Sequence, residues 1–332
     1  MTPRRLLPLC ALVPVLAGCD NEQSTLAPKS HQAKDIASLF WWMMAVSWFG
    51  IGLVVLLILI AWRKAHRRPG HDPKEGERLA FKVVIGAGIV MPIALIAALF
   101  VVSDLFVIRI TEAPAKSATR LTILVVGHQW WWEVRYPGTS VVTANEIHLP
   151  VNTPVRLEVR TADVIHSFWV PRLNRTIDAI PGRTNAIELD ADATGVFRGQ
   201  CEEFCGLQHA HMVFYVYAQT PTAFAQWLSN QKRPARPPAT AAARQGEKDF
   251  MSSSCSNCHA IRGTPASGDV GPDLTHLRTR ATIGAGTLLN SRSDLAQWIA
   301  DSQHFKPGNE MPQMRLRNSE LHALVTYLEG LK

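Results

Sequence analysis

Residues 200–212 read QCEEFCGLQHAHM, which packs Cys201, Cys205, His209 and Met212 into one short segment. Thiolate, imidazole and thioether are soft or borderline donors, and together they favour copper over calcium or magnesium. A mononuclear blue copper site uses a single thiolate. Two cysteines four residues apart can instead bridge two metal ions, each of which then needs an imidazole. His209 lies beside the pair. The segment Asp163-Val164-Ile165-His166-Ser167-Phe168, at a predicted strand edge 35 residues upstream of Cys201, offers the other. Taken alone, the CxxxC spacing also suits a copper-delivery protein, a zinc site or a pair on one helix face. Met212 taken alone suits a hydrophobic core. His211 reads as a surface or supporting residue, and His128 and His148, which lack ligand partners, as structural.

A second cluster, Cys255-Ser256-Asn257-Cys258-His259, has the spacing of c-type haem attachment. On one turn of helix the two cysteines reach the two vinyl groups and the histidine reaches the iron. Zinc binding and thiol redox exchange are the alternatives for a bare CxxCH. The two remaining cysteines are Cys10 and Cys19. None is left for a structural disulfide, so the clustered thiols point to cofactors instead.

These sites need elements to hold them. Met1–Gly18 has Arg4 and Arg5 followed by the apolar Leu6–Ala17, the pattern of an export signal, with an ordinary signal or a short anchor helix as the alternatives. Leu39–Trp62 and Val83–Ser103 carry no charge and are long enough to cross a bilayer. The loop between them holds Arg63, Lys64, Arg67, Arg68, Lys74, Arg78 and Lys82, which marks the cytoplasmic side and puts everything after the hairpin outside. Pro92 predicts a kink, and Asp104 reads as an interfacial carboxylate. From Leu121 short β-type runs begin. Val155, Leu157 and Val159 alternate with Arg156, Glu158 and Arg160, so one face is buried and one wet. Ile187, Leu189 and Val213–Ala218 continue the pattern, which predicts a small sandwich or barrel. The stretch at 231–243, QKRPARPPATAAA, reads as a semi-rigid linker. Beyond it come predicted helices, one capped by Ser293 or Asp294 and one by Asn318 or Ser319. The net charge of +7 is concentrated beside the apolar helices and in the linker, so it does not indicate nucleic-acid binding.

Cys201, Glu203, Cys205, Gly206, His209 and Met212 resemble the binuclear copper signature of the cytochrome c oxidase subunit II family, as do VIHSFWVP (164–171), DAIPGR (178–183) and GHQWWW (127–132). The resemblance implies a cupredoxin Greek-key barrel holding two copper ions. Cys201 and Cys205 bridge them, His166 and His209 cap them, and Met212 and the Glu203 main-chain carbonyl are weak outer ligands. The Glu203 side chain would help to bind magnesium at the contact with subunit I, and Trp130 would be the point where electrons enter, whereas without the resemblance Trp130, Trp131 and Trp132 equally suit a membrane-interface anchor or a core filling. Likewise Lys306–Pro312 (KPGNEMP) and Gly271-Pro272-Asp273-Leu274 resemble the loops of class I cytochromes c. That likeness implies one covalent haem c on Cys255, Cys258 and His259. Met311 is the sixth ligand, with Met314 the alternative and His276 a poorer one. His/Met ligation leaves no open iron position, so this unit passes electrons. Leu16-Ala17-Gly18-Cys19 resembles a lipobox, which implies lipidation of Cys19.

The implied protein is multidomain: signal peptide 1–18, tether 19–38, two-helix transmembrane hairpin 39–110, all-β cupredoxin domain 119–230, linker 231–243 and all-α class I cytochrome c domain 244–332. It would sit in a bacterial cytoplasmic membrane with both redox domains on the periplasmic face. There it would pass electrons from cytochrome c or another donor to subunit I, with subunit III as a further partner, and oxygen would be reduced in another chain of a proton-pumping complex. An electron carrier for a related reductase, such as a nitric oxide reductase, and a copper-binding assembly factor are the alternatives. One departure from the family concerns the glutamate at the start of its second helix. Here that stretch is Val83-Val84-Ile85-Gly86-Ala87-Gly88, and Glu77 is the nearest carboxylate.

Overall fold

The computed structural model describes residues 22–67, 73–109 and 112–332. The leader with Cys10, the lipidation candidate Cys19 and the middle of the basic loop lie outside the described residues. Residues 34–112 form one compact unit. Residues 22–33 and 113–332 form the other.

Helix α1 spans His31–Arg67, and all but its first three residues belong to the first unit. It starts inside the stretch read as a tether, because Ser30 caps it: the Ser30 Oγ accepts from the Ala33 N–H at 3.0 Å. Helix α2 (Pro73–Ile85) passes through a π turn, Gly86–Val90, into α3 (Met91–Ser103). Pro92 lacks an N–H and its ring crowds the turn before it. That turn is wide, with the Met91 N–H reaching the Gly86 carbonyl, so the helix continues past the proline. The stretches His31–Lys64 and Gly76–Ser103 are each long and apolar enough to cross a membrane. Asp104 pairs with Arg109 at 3.1 Å.

The β domain is two five-stranded sheets. The first has the order β3 (Val142–Ala144), β2 (Trp131–Arg135), β1 (Thr122–His128), β5 (Val155–Thr161), β8 (Asn185–Leu189). The second has the order β4 (Glu146–Pro150), β10 (Val213–Gln219), β9 (Gly195–Cys201), β6 (His166–Trp169), β7 (Ile177–Ala179). Strand β1 is antiparallel to β2 and parallel to β5, and β10 repeats that mixture with β9 and β4. Between the sheets Trp132, Phe168 and Phe214 meet with ring centroids 4.4–5.8 Å apart and are almost fully buried. Burying each such ring contributes about 1.5–3 kcal/mol. The alternation expected in β5 holds for its buried valines and leucine. Glu158, expected on the wet face, is buried instead, because Lys116 at 2.8 Å and Arg156 at 3.0 Å cover and neutralise it.

Helix α4 (Pro221–Gln231) folds back on this domain, with Trp227 stacked on His148 at 4.0 Å. The linker after it lies pinned along the next domain. The Ala235 N–H donates to the Arg262 carbonyl at 2.9 Å, and the Arg262 guanidinium donates to the carbonyls of Gln231 and Ser140. Then come α5 (Ala241–Ser252), α6 (Cys255–Cys258), a hairpin of β11 (Thr282–Ile283) and β12 (Leu288–Leu289), α7 (Arg292–Ala300), α8 (Ser302–Phe305) and α9 (Asn318–Leu328). Helices α5 and α9 cross at Gly246, where a Cβ would run into the Ala323 main chain. Both predicted caps are displaced. Ser291 caps α7, its Oγ accepting from the Asp294 N–H at 3.1 Å. Arg317 occupies the cap of α9, and Glu320 reaches back to its N–H at 2.9 Å.

Candidate functional site

Strand β9 ends at Cys201, and the chain loops through Cys205 and His209 before β10. The Cys201 N–H donates to the Met212 carbonyl at 3.1 Å, which closes the loop at its base. Inside it the two sulfurs lie 3.9 Å apart. Cys201 Sγ is 3.9 Å from His166 Nδ1 and 3.3 Å from the Glu203 carbonyl oxygen. Cys205 Sγ is 3.7 Å from His209 Nδ1 and 3.8 Å from Met212 Sδ. All six residues singled out as copper ligands thus surround one small volume. Cys201, Cys205, His166 and Met212 are buried, whereas the Glu203 side chain points to solvent.

The surroundings aim these donors. His166 Nε2 donates to Asp163 Oδ1 at 2.8 Å, which leaves Nδ1 free to face the sulfurs. Gly127 makes room for the ring: a Cβ there would lie 2.7 Å from it. The Trp130 indole N–H and the Gln129 side-chain amide both donate to the Cys205 carbonyl, at 2.9 and 2.7 Å. The thiols lose their protons in two steps. Cys201, hydrogen-bonded by Cys205 and His166, ionises below the usual thiol range, and the resulting charge pushes Cys205 up. A buried pair of thiolates is costly unless cations sit between them. Two soft sulfurs flanked by two imidazoles and a thioether fit copper on chemistry and on placement.

The second site is a cleft. Cys255, Cys258 and His259 line one wall, with Met311 and Met314 also bordering it. His259 Nδ1 donates to the Pro272 carbonyl at 2.8 Å, so Nε2 is the nitrogen left for a metal. Burial holds this imidazole below its usual pKa, in the neutral form that binds iron. Gly271 is a cradle, since a Cβ there would collide with the His259 ring. Arg280 is buried, lines the cleft, and its Nε has no partner, as a site for an anionic group such as a haem propionate requires. The cleft therefore fits haem. The Met311 main chain is held three ways: its N–H donates to Asn309, and its carbonyl accepts from Ser302 and Gln303. His276 turns away, its Nε2 bonded to the linker carbonyl of Arg233 at 3.0 Å.

The far wall of the cleft belongs to the β domain: Gln129, Trp130, Trp131 and Asn145. Trp130 therefore reaches both sites: it lines the cleft, and its indole N–H bonds to the Cys205 carbonyl. His128 and His148 sit outside both. His128 stacks on Trp131, and His148 stacks on Tyr217 and Trp227. Sequence reading gave no role to Asp163, Gln129, Arg280 or Lys306. Gln129, Asp163 and Lys306 do fall inside the quoted segments, so their position was the available signal.

Comparison with known proteins gives two family matches: "Cytochrome C oxidase subunit II, periplasmic domain" over residues 139–219 and "Cytochrome c" over residues 243–332. The cytochrome c oxidase subunit 2 of Alkalihalophilus pseudofirmus is 33% identical over 100% of this chain and 98% of its own length. That of Bacillus subtilis is 28% identical over 99% of this chain and 98% of its own. Among solved structures, the periplasmic domain of cytochrome oxidase subunit II of Bradyrhizobium japonicum aligns at 36% identity with a TM-score of 0.35, over 36% of this chain and 97% of that one.

Proposed function

Since the chain belongs to the cytochrome c oxidase subunit 2 family, we propose that it carries electrons through a binuclear copper centre and a covalently bound haem c. As a member of that family it is an oxidoreductase subunit, the one through which electrons enter, and the oxygen-reducing centre lies in another chain. It binds copper and haem, has partner subunits, and is a membrane protein with an outward-facing domain. The finer reading is that the membrane is the bacterial cytoplasmic one, that subunits I and III are neighbours, and that a periplasmic donor such as cytochrome c meets the haem edge. Cys19, where lipidation is proposed, would add a second anchor.

When bound, haem and copper supply reversible one-electron chemistry, and the protein's task is to hold, shield and connect them. Cys255 and Cys258 would fix the haem, with His259 and Met311 as axial ligands. Three hydrogen bonds to the Met311 main chain support it over Met314. Cys201 and Cys205 would bridge the coppers, with His166, His209, Met212 and the Glu203 carbonyl completing the set. The buried Cys201, Cys205, Met212 and His166 side chains keep water from the donors, which tunes the potential. The Glu203 side chain is free to bind magnesium at a subunit I contact. Trp130 would be the connecting residue, since it borders the haem cleft and bonds to the main chain of a copper ligand.

The observation that carries this reading is the convergence of four side chains from one loop with His166 from β6 on a single buried volume. The test is to count copper and haem in the purified full-length chain and record its electron paramagnetic resonance. Two coppers, one haem and hyperfine structure from two equivalent copper nuclei are expected. One weakly held copper with a single-nucleus spectrum would overturn the binuclear site and favour an assembly factor.

A further inference from the structure

Lys306 lies on the same loop as Met311, yet neither site uses it as a ligand. It is only 3% exposed. Its ammonium donates to the Trp130 carbonyl at 2.6 Å, the His211 carbonyl at 2.8 Å and the Gly284 carbonyl at 3.1 Å. An ammonium has three N–H donors, so each is matched. The three oxygens come from three segments. Trp130 lies between β1 and β2, His211 lies in the copper loop, and Gly284 lies in the cytochrome domain's own hairpin. A buried charge is costly without such partners, and burial here pushes the amine down to about 7. Two of the three partners exist only while the cytochrome domain is docked.

The contacts around Lys306 lie along the same seam. The Gln208 side-chain amide donates to the Pro307 carbonyl at 2.8 Å. The Val213 N–H donates to the Ala285 carbonyl at 3.2 Å, and the Ala281 N–H to Glu146 Oε1 at 2.7 Å. At Gly308, with φ at +83°, a Cβ would stand 3.7 Å from the Trp130 ring, so the Met311 loop lies close against that indole. Among these seam contacts Lys306 supplies the buried amine, and that one group reaches main-chain oxygens of both Trp130 and His211 in the copper loop.

We propose that Lys306 is a positioning residue for electron transfer, latching the Met311 loop onto Trp130 and the copper loop so that both redox sites work from one fixed docking. This rests on the copper and haem reading given above. The latch acts through main-chain oxygens, so it sets the distance and orientation between the sites and leaves the ligands themselves alone.

The test uses the full-length chain loaded with haem and copper, comparing Lys306→Met with the wild type. Two quantities are read: the rate at which a photoreduced haem passes its electron to copper, and the hydrogen exchange of the Val213 and Ala281 amides across the seam. Losing a charged latch is expected to slow transfer about tenfold and speed both exchanges about tenfold, with haem absorption and the copper resonance spectrum unchanged. Gln208→Leu, which removes a neutral contact of the same seam, is expected to change each by about threefold or less. Unchanged transfer and exchange in Lys306→Met, with both cofactors bound, would overturn the inference. So would a Gln208→Leu effect as large as that of Lys306→Met. A wild-type chain that holds both cofactors but passes no electron between them would overturn the underlying reading first.

Discussion

Asp163 offers the sharpest test of how the copper loop is organised. Its carboxylate accepts from His166 Nε2 at 2.8 Å and from the Val164 N–H at 2.6 Å on one oxygen, and from the Gln129 N–H at 2.6 Å on the other. The first bond fixes which imidazole nitrogen faces the sulfurs. The last holds the residue whose side chain supports the Cys205 carbonyl. A hydrogen bond to a charged group is worth about 1.5–3 kcal/mol. The Asp163 side chain is 30% exposed, so solvent screening favours the lower end of that range. That corresponds to about tenfold in affinity, at the low end of the 10–100-fold typical for partners of metal-binding histidines. Asp163→Ala is therefore expected to weaken copper retention about tenfold, measured by competition with a chelator on the full-length chain while haem absorption stays constant. Asp163→Asn should lose less. Its one amide oxygen can still accept from His166, and only the Gln129 N–H is left unmatched. Wild-type affinity in Asp163→Ala would refute the idea that this carboxylate sets the ring. Equal loss in both variants would show that charge, not ring orientation, is what matters.

Two further outcomes follow from the packing and the electrostatics. Gly246→Val forces a side chain into the Ala323 main chain and should destabilise the cytochrome domain by about 1–3 kcal/mol, read from denaturant unfolding at the haem band. Unchanged unfolding would mean that the two crossing helices can part without cost. Burial pushes the Glu133 carboxyl up, but the His128 ring 3.6 Å away and the hydrogen-bonded Arg135 guanidinium outweigh it and hold it at about 2, below the ordinary 4.5. A depressed folded-state value contributes stability above about pH 4.5, which is lost as the pH falls through about 2. Glu133→Gln should therefore flatten the fall in urea midpoint between pH 5 and pH 3, and an unaltered slope would rule out this pair as a source of acid sensitivity.

The sequence was most readable where rare donor types crowd together. Two cysteines, a histidine and a methionine on one loop, and CxxCH elsewhere, leave few chemical alternatives, and the structure brings those side chains together. Strands with strict alternation were readable for the same reason, since β5 buries its valines and leucine. Glu158 escaped because alternation describes a face and not what lands on it, and Lys116 lies 42 residues upstream. The helix caps slipped by one or two residues because several serines and polar residues compete at each end, and only main-chain geometry chooses among them. Asp163 and Lys306 sat in plain view inside motif segments. Their roles depend on groups supplied from elsewhere in the fold, a tautomer in one case and a neighbouring domain's carbonyls in the other. Arg280 is legible only once its guanidinium is seen buried with a nitrogen unmatched.

The pinned linker bears on the kinetics of the complex. A slack tether holds two partners at an effective concentration in the millimolar range and leaves them to collide. Here the Arg262 guanidinium and the Ala235 amide seat the connecting segment along its course, so the search is largely over before an electron arrives. The step between the domains, first-order for any tether, is then spared the conformational search a slack one would add. Supply and demand would meet one step earlier, where an outside donor finds the haem edge, and salt and donor abundance should register only there.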